Sequence, residues 1–447
     1  MAEIDDGTTA SFTERLRLRP TSLLDPRATA VDAEVTGARQ LQRADTGPVA
    51  PYAAVVLRLE GHDGEATAVL VTAEDDRVVV RATRRSVLVE VRRQGRTRVL
   101  RRRRFRPPPS YGLAFVVCEN QVTALVDTGD GWEPLLTERT RVRRHVDLRD
   151  ERTLGQHSYG WQVDGAARAT VQAGLFGGVG LRDPHLVQHA DGSPYRRHGR
   201  LHMTWTAAGL GFFPQSHWTV WSFDPADPRD MRLESHLFFR RDGLVLGDHA
   251  GQLVRDGDRW IVAVSSWGDF GEAPVHVRHT STAADLLSGV HLLDGEPTRL
   301  PTTYDTWDPA LLRSGDAWWV AYVESESQDP FVFHPALART TDDDWSVGLA
   351  PVFAASSFRQ CEGPHLVADG EDPRLLASDK DSGTYPLLDV TGVVVGRLDA
   401  PYPSNIPHPQ LVPDPDGGWW MVTFDGTGLA PGVMGYGGHG DVVVMHS

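Results

Sequence analysis

Short apolar segments separated by polar turns recur along the whole chain, and helical periodicity is almost absent. In the N-terminal part, residues 52–59, 67–71 and 86–91 read as strands that bury one face. The dipeptide Asn120-Gln121 separates two further apolar segments and predicts a hairpin turn. These patterns predict a jelly-roll-like β-sandwich over residues 1–165.

The C-terminal part contains a five-residue motif that recurs five times. Its second residue is Pro or Gly and its fourth is Leu in every copy, and the copies begin at Asp183, Ala250, Asp308, Gly363 and His408. Each copy is followed by a polar turn and an apolar segment. The repeated leucines are 67, 58, 55 and 45 residues apart, a spacing that suits propeller blades of about four short strands. The prediction is an all-β chain with a five-bladed β-propeller over residues 171–447, joined to the sandwich by the segment 166–180.

Charge and cysteine content narrow the possible partners. The net charge of −15 argues against nucleic acid and anionic membrane surfaces, because both require protein cations. The two cysteines, Cys118 and Cys361, are too few for a disulfide framework or a thiolate zinc site. The acidic N-terminus resembles no signal peptide, and no run of 18 apolar residues occurs. A cytoplasmic protein without a membrane partner is therefore expected.

A run of arginines between residues 92 and 106 interrupts this acidic composition. Such a run binds nucleic acids or acidic glycans in some proteins. It also protects the exposed edge of a sheet, because charged side chains prevent edge-to-edge pairing. The sequence favours the second interpretation and leaves the first open.

The motif openings carry the candidate chemistry, because the first strand of each propeller blade lines the central channel. Positions two apart in a strand share a face, and polar side chains in a channel need hydrogen-bond partners. Asp183 opens the first copy and Asp308 the third, whereas Glu362 stands one residue before the fourth copy. Turn-capping carboxylates at strand starts are the alternative explanation for the two aspartates.

This arrangement resembles the family-43 glycoside hydrolases and their five-bladed relatives. The resemblance rests on Asp-Pro in the first copy, Asp-Pro in the third and Glu-Gly-Pro in the fourth. It implies that Asp183 is the general base, that Asp308 tunes and orients the acid, that Glu362 is the general acid, and that the reaction inverts configuration. Glycoside cleavage requires one protonated and one ionised carboxyl group, and a neighbouring carboxylate keeps the acid protonated.

The expected substrate contacts are Arg182, His185, His249, Trp307 and His365. Trp205, Trp267 and Phe270 are further stacking candidates, although propeller tryptophans often pack between blades. Asp248 is assigned either to substrate or to a turn.

The resemblance implies that the channel histidine, His408, lies near a bound calcium or a water cluster. A structural calcium in the channel is therefore considered, although the acid/base chemistry itself requires no cofactor. A transition-metal site formed by His185, His365 and His408 remains an open alternative.

The function predicted is hydrolysis of an arabinoside, xyloside or galactoside, with a small molecule or an oligosaccharide as substrate. Two alternatives stay open. One is an intracellular biosynthetic cyclase, isomerase or phosphorylase on the same propeller, with Arg182 or Arg359 available for phosphate. The other is a non-catalytic propeller that binds a glycan or a protein. A hydrolase requires Glu362 and Asp183 to face an open pocket, whereas a binding module could pair them with arginine.

Overall fold

The computed structural model describes residues 11–35, 38–166, 168–224, 227–428 and 439–447. Within these ranges the chain is built almost entirely of strands, which confirms the predicted all-β class. The helical segments are α1 (Glu151–Leu154) and four 3-10 turns at Pro26–Ala28, Val142–Arg144, Phe213–Gln215 and Trp267–Asp269. None of the described helices has the length and apolar character needed to cross a bilayer.

The strands of the first 175 residues form two six-stranded sheets, apart from the first strand. They are β1 (Thr13–Leu18), β2 (Thr29–Val35), β3 (Ala38–Arg43), β4 (Tyr52–Glu60), β5 (Ala66–Val71), β6 (Arg77–Ala82), β7 (Ser86–Arg93), β8 (Arg96–Arg104), β9 (Tyr111–Cys118), β10 (Gln121–Asp127), β11 (Trp132–Glu138), β12 (Ser158–Val163) and β13 (Arg168–Leu175). One sheet has the order β11-β10-β9-β4-β13-β2 and the other β3-β12-β5-β6-β7-β8.

A single apolar cluster lies between these two sheets. Val55 and Phe115 enter it from the first sheet, and Val80 and Val89 enter it from the second. Successive side chains of a strand point to opposite faces, so Val56 and Val116, next to Val55 and Phe115, enter a second apolar cluster on the other side of the first sheet.

The arginine run forms an edge strand, β8. Arg101 Nη1 donates a hydrogen bond to the carbonyl of Thr137, and Arg103 Nη1 donates one to the carbonyl of Leu135, across the gap to β11. Arginines at this edge therefore link the two sheets and place charge where another chain could otherwise pair.

The remaining strands follow in chain order. They are β14 (Leu181–Leu186), β15 (Gln188–His189), β16 (Arg196–Arg197), β17 (Arg200–Ala207), β18 (His217–Asp224), β19 (Asp227–Arg241), β20 (Leu244–Leu246), β21 (His249–Asp256), β22 (Arg259–Ser265), β23 (Val277–Thr282), β24 (Gly289–Asp294), β25 (Glu296–Pro297), β26 (Asp305–Ser314), β27 (Ala317–Gln328), β28 (Phe331–Thr340), β29 (Ala350–Ala354), β30 (Cys361–Val367), β31 (Arg374–Asp379), β32 (Tyr385–Leu388), β33 (Val394–Leu398), β34 (Gln410–Pro413), β35 (Trp419–Asp425) and β36 (Asp441–His446).

The repeat predicted from the sequence matches the sheet organisation. The first four motif copies lie in β14, β21, β26 and β30, and the fifth leads into β34. Each of these strands pairs with the apolar segment that follows its motif, namely β17, β22, β27, β31 and β35. Each motif therefore begins a separate antiparallel meander.

Two strands pair across the predicted domain bounds of 1–165 and 171–447. β1 pairs with β36, so that the N-terminal strand completes the last sheet, in the order β1-β36-β35-β34. β13 pairs with β4 and β2, so the N-terminal sheets extend to Leu175. The pairing of β1 satisfies the outer hydrogen-bonding groups of β36, a requirement that local sequence patterns do not reveal.

Candidate functional site

The first four motif openings share an unusual backbone conformation. Asp183, Ala250, Asp308 and Gly363 have φ angles of 51°, 53°, 50° and 68°. The register of each strand pair shifts at the same place, which marks a bulge in the first strand of each sheet. Bulges re-aim side chains, and left-handed backbone is rare for residues other than glycine. The motif therefore encodes a repeated local bend.

Three of the bulges present two consecutive residues to a common pocket, and the fourth presents Glu362. The pocket holds about 430 Å³ of empty space, including its open mouth. The described residues that line it are Arg182, Asp183, Phe213, His249, Ala250, Trp267, Trp307, Asp308, Phe331, Glu362, Asn405, His408 and Phe424. All three predicted catalytic carboxylates therefore lie in one pocket.

His408 lies at the centre of the three carboxylates. Its Nε2 atom is 3.9 Å from Asp183 Oδ1, 3.6 Å from Asp308 Oδ2 and 3.8 Å from Glu362 Oε1. Gly363 leaves room for the ring, because a Cβ atom there would be 2.5 Å from the imidazole. This contact explains the offset of Glu362: the motif position in the fourth sheet must be glycine, so the carboxylate comes from the residue before it.

Asp183 is held in its ionised form by a neighbouring cation. Its Oδ2 atom is 3.3 Å from Arg182 Nε, and Arg182 Nη2 also donates a hydrogen bond to Ser216 Oγ at 3.2 Å. Burial opposes ionisation, but the charges of Arg182 and then His408 outweigh it and lower the pKa of Asp183. The Asp183 side chain is 13% exposed, so it remains accessible from the pocket.

Asp308 and His408 both hold protons more tightly than usual. Burial raises the pKa of Asp308 well above its ordinary value, and the Glu362 and Asp183 carboxylates add to the effect against the opposing charge of His408. For His408, burial acts in the opposite direction, but the surrounding carboxylates raise its pKa to about 9. The cluster therefore contains an imidazolium that balances part of its negative charge at neutral pH.

Glu362 is oriented by Trp307, whose Nε1 donates a hydrogen bond to Glu362 Oε2 at 3.1 Å. The Glu362 side chain is 20% exposed, more than Asp183 or Asp308. Asp308 lies deeper and accepts a hydrogen bond from the backbone N–H of Gly363 at 3.3 Å. Glu362 and Asp183 are thus the two carboxylates most accessible to a bound molecule.

Aromatic rings form one wall of the pocket. Phe213 stacks on Trp267 with ring centroids 4.5 Å apart and an interplanar angle of 22°. Trp267 lies 5.5 Å from Trp307, which lies 5.8 Å from Phe331. Flat apolar surfaces of this kind suit the hydrophobic faces of sugar rings and orient them by shape.

Not every predicted contact lines the pocket. His249 does, in neutral form, because burial and the charge of Arg182 lower its pKa to about 3. His185 and His365 lie outside the pocket lining and are almost completely buried, which lowers their pKa to about 3 and 4. Their predicted role as substrate contacts finds no support in the lining residues.

The remaining candidates, Trp205, Phe270 and Asp248, do not line the pocket. Trp205 is fully buried in a core cluster, and Phe270 packs against Trp267 without lining the pocket. Asp248 is buried in an ion pair with Arg241 and accepts a hydrogen bond from the N–H of Gly268 at 2.9 Å, which supports the turn assignment.

Sequence reasoning missed Phe213, Phe331, Asn405 and Phe424. None of the four lies at a motif opening. Phe213 comes from a connection, Phe331 from the start of β28 and Phe424 from β35. Asn405 shows a weak signal, because it precedes the fifth motif and has a φ of 69°, which asparagine tolerates better than most residues.

The donor set near His408 does not match calcium. Among the described residues, Asp308, Glu362 and His408 can place one ligand atom each within 4.8 Å of one another. Calcium takes six to eight oxygen ligands, whereas this group offers two carboxylates and an imidazole that the carboxylates keep protonated. His185 and His365 do not join this group, so the alternative three-histidine site also lacks support.

Comparisons with known proteins return structural matches but no sequence matches. No protein-family model and no curated protein sequence matches the chain. The solved structure of Penicillium chrysogenum α-L-arabinanase complexed with arabinobiose matches 76% of this chain and 90% of that chain, at 13% identity and a TM-score of 0.38. A family 117 glycoside hydrolase from Zobellia galactanivorans matches 60% of this chain and 85% of that chain, at 10% identity and a TM-score of 0.41.

A third match is the inulosucrase of Halalkalicoccus jeotgali bound to kestose, which covers 60% of this chain and 84% of that chain, at 14% identity and a TM-score of 0.42. Because every one of these TM-scores is below 0.5, the activity must be argued from the side chains of the pocket.

Proposed function

We propose that the chain is a glycoside hydrolase that cleaves a glycosidic bond by carboxylate acid/base chemistry. The observation that carries the proposal is the convergence of Asp183, Asp308 and Glu362, from three separate sheets, on one imidazole in one pocket. Carboxylates repel one another, so their gathering costs free energy unless a charge balances them or a function requires them.

The three carboxylates have different environments and therefore suit different roles. Asp183, with its lowered pKa, is the base that removes a proton from water as the water oxygen attacks the anomeric carbon. Glu362 is the acid that gives its proton to the departing oxygen as the glycosidic bond breaks. Asp308 remains buried and orients the cluster through Gly363 and His408.

The spacing of acid and base is consistent with inversion of configuration. Because both oxygens lie within 4 Å of His408 Nε2, Asp183 Oδ1 and Glu362 Oε1 are at most about 8 Å apart. Inverting enzymes have separations of roughly 6.5–9.5 Å, and retaining enzymes about 5–5.5 Å. This upper bound admits both ranges, so the proposal of inversion rests on the family resemblance.

The proposed substrate is a small glycoside or an oligosaccharide of arabinose, xylose or galactose. The aromatic wall of Phe213, Trp267, Trp307 and Phe331 supports a sugar ring, and Arg182 and Asn405 supply polar contacts beside it. The five C-terminal meanders are proposed to be five propeller blades around this pocket, and the two N-terminal sheets a β-sandwich.

The test is release of nitrophenol from a panel of nitrophenyl glycosides by wild type, Asp183→Asn and Glu362→Gln. Both variants are expected to lose at least about 100-fold in kcat, because each removes a proton-transfer group. Glu324→Gln is the matched control, since Glu324 is also buried and hydrogen-bonded to a histidine, at 3.2 Å, but lies outside the pocket lining. Turnover that survives both pocket substitutions would refute the assigned roles.

The stereochemical outcome needs a separate measurement. Proton NMR of the first sugar released distinguishes its α and β anomers before they interconvert. Release of the anomer opposite to that of the substrate supports the single-displacement roles given to Asp183 and Glu362. Release of the same anomer would mean that one carboxylate acts as a nucleophile.

A second candidate function is sugar binding without hydrolysis. Two contacts favour this candidate, because each neutralises negative charge of the carboxylates. Arg182 pairs with Asp183, and the His408 cation lies among the three carboxylates. Calorimetric titration of unsubstituted mono- and disaccharides tests it. Binding that wild type and Glu362→Gln share, with no turnover by either, would support this candidate against hydrolysis.

A further inference from the structure

Two of the four rings in the aromatic wall, Phe213 and Trp267, lie on loops and not on the strands that carry the carboxylates. Phe213 belongs to the loop 209–216, between β17 and β18. Trp267 belongs to the loop 266–273, between β22 and β23. The two loops meet in the stack of Phe213 on Trp267. Their positions therefore depend on what holds each loop from behind.

The first loop is held by Tyr52, which belongs to β4 of the N-terminal sheets. The Tyr52 hydroxyl lies 2.6 Å from the carbonyl oxygen of Pro214 and 2.8 Å from that of Ser216. Tyr52 has no exposed surface, and a Cβ at Gly247 would approach its hydroxyl to 2.1 Å, so the ring has one position. Gln121 adds a hydrogen bond from its side-chain amide to the carbonyl of Leu210 at 2.5 Å.

The second loop is held by two arginines from the N-terminal part. Arg149 Nη1 is 2.9 Å from Glu272 Oε1, and Arg143 Nη2 is 2.9 Å from Glu272 Oε2. Arg149 is 3% exposed and is itself fixed by Asp147, whose Oδ2 lies 3.1 Å from its Nη2. Glu272 therefore connects a rigid arginine to the loop that carries Trp267.

We infer that the N-terminal part of the chain positions Phe213 and Trp267 in the pocket wall, with Tyr52 and Glu272 as the positioning residues. The carboxylates come from strand bulges and need no such support. Through these two rings the N-terminal part influences how well a sugar is held, whereas the strands that carry the carboxylates control the chemistry. This inference rests on the proposed function only for the kinetic measurement with a glycoside. The hydrogen-exchange measurement does not depend on it.

Two matched pairs of variants test the inference in the full-length chain. Tyr52→Phe removes only the hydroxyl, and its control is Tyr111→Phe, whose hydroxyl lies 3.4 Å from His62 within the N-terminal part. Glu272→Gln removes one ion-pair partner, and its control is Glu151→Gln. Glu151 pairs with Arg240 at 2.9 Å across the same boundary and has similar exposure, but holds neither pocket loop.

The first measurement is hydrogen exchange of the two loops, which needs no substrate. Tyr52→Phe is expected to speed exchange in residues 209–216, and Glu272→Gln in residues 266–273, by about three- to tenfold, as loss of one hydrogen bond implies. The controls should leave both loops unchanged. Equal exchange in Glu272→Gln and its control would overturn the inference. This comparison holds even if Tyr52→Phe folds poorly, because Glu272 is 42% exposed.

The second measurement is the kinetics of the best glycoside found for the wild type. Glu272→Gln is expected to raise KM about three- to tenfold and to change kcat less than twofold, because Glu272 contacts none of the carboxylates. An equal fall in kcat, or an unchanged KM, would overturn the assigned role. Absence of turnover by the wild type would count against the proposed hydrolase function, while the exchange data would still decide the positioning role.

Discussion

At the scale of single residues, His408 determines how three carboxylates share one pocket. An imidazole with an ordinary pKa would be mostly neutral at pH 7 and would leave the carboxylates unbalanced. The carboxylates instead raise the pKa of His408 to about 9, and this shift makes the histidine an internal cation. His408 is 3% exposed, so solvent weakens these interactions little.

The stabilising contribution of His408 should depend on pH. Its folded pKa lies above the unfolded value of about 6.5, so the contribution is fully present below pH 6.5 and is lost as pH rises through about 9. The shift corresponds to a contribution on the order of 3 kcal/mol. His408→Gln should therefore destabilise the protein most at the acidic end of this range, as urea unfolding at pH 6.5, 8 and 9.5 would measure.

His185→Gln is the control for that series. Burial lowers the pKa of His185 to about 3, so this histidine is neutral from pH 6.5 to 9.5 and its loss should cost the same throughout. A pH-independent difference between wild type and His408→Gln would show that His408 contributes by packing and not by charge.

At the scale of elements, the strand bulge is the device that builds the pocket. The same left-handed bend recurs in β14, β21, β26 and β30, and it turns consecutive residues toward one point. Different residues occupy the bend in each sheet, so one backbone geometry places Asp183, Trp307 and Glu362 in the same pocket. The fourth bend requires glycine, because the ring of His408 fills the space beside Gly363.

Substituting Gly363 by alanine should destabilise the protein beyond the cost of its backbone angle. The added methyl group would meet the His408 ring at 2.5 Å, and overpacking of this kind costs about 1–3 kcal/mol. Gly315→Ala is the matched control, because Gly315 has a similar φ of 61° and no atom within 4 Å of its Cβ position. Equal unfolding free energies of the two variants would contradict the proposed contact.

At the scale of the whole molecule, the chain closes on itself through its first strand. β1 supplies the outer strand of the last sheet, and Leu16 and Leu18 pack against the core shared with the first C-terminal sheet. Arg17 and Arg19 add ion pairs to Asp425 and Asp441 at 2.5 and 2.6 Å. The N-terminal strand therefore joins the two ends of the chain.

Removal of residues 1–19 should lower the melting temperature by on the order of 10 °C, because it exposes the edge of β36 and part of its apolar core. Removal of residues 1–10 alone, which leaves β1 intact, is the control. Differential scanning calorimetry of both truncated chains makes the comparison. Equal melting temperatures would show that β1 contributes little to closure.

Much of the fold could be predicted from the sequence because its signals are local. The alternation of apolar and polar residues depends on one strand at a time, and the five motif copies mark the start of each C-terminal meander. Asp183, Asp308, Glu362, Arg182, His249 and Trp307 could be named for the same reason, since all lie at or beside a motif opening. The assigned catalytic roles remain predictions.

The features that could not be predicted depend on contacts between distant segments. Pairing of β1 with β36 joins residues more than 400 positions apart. Tyr52 and Arg149 hold the pocket loops through contacts that produce no periodic pattern in the sequence. The sequence by itself determined the strand repeat and the polar residues at its openings, because both follow from neighbours along the chain. Only the tertiary structure decided that these openings converge on His408, since distances across a channel depend on how whole sheets pack.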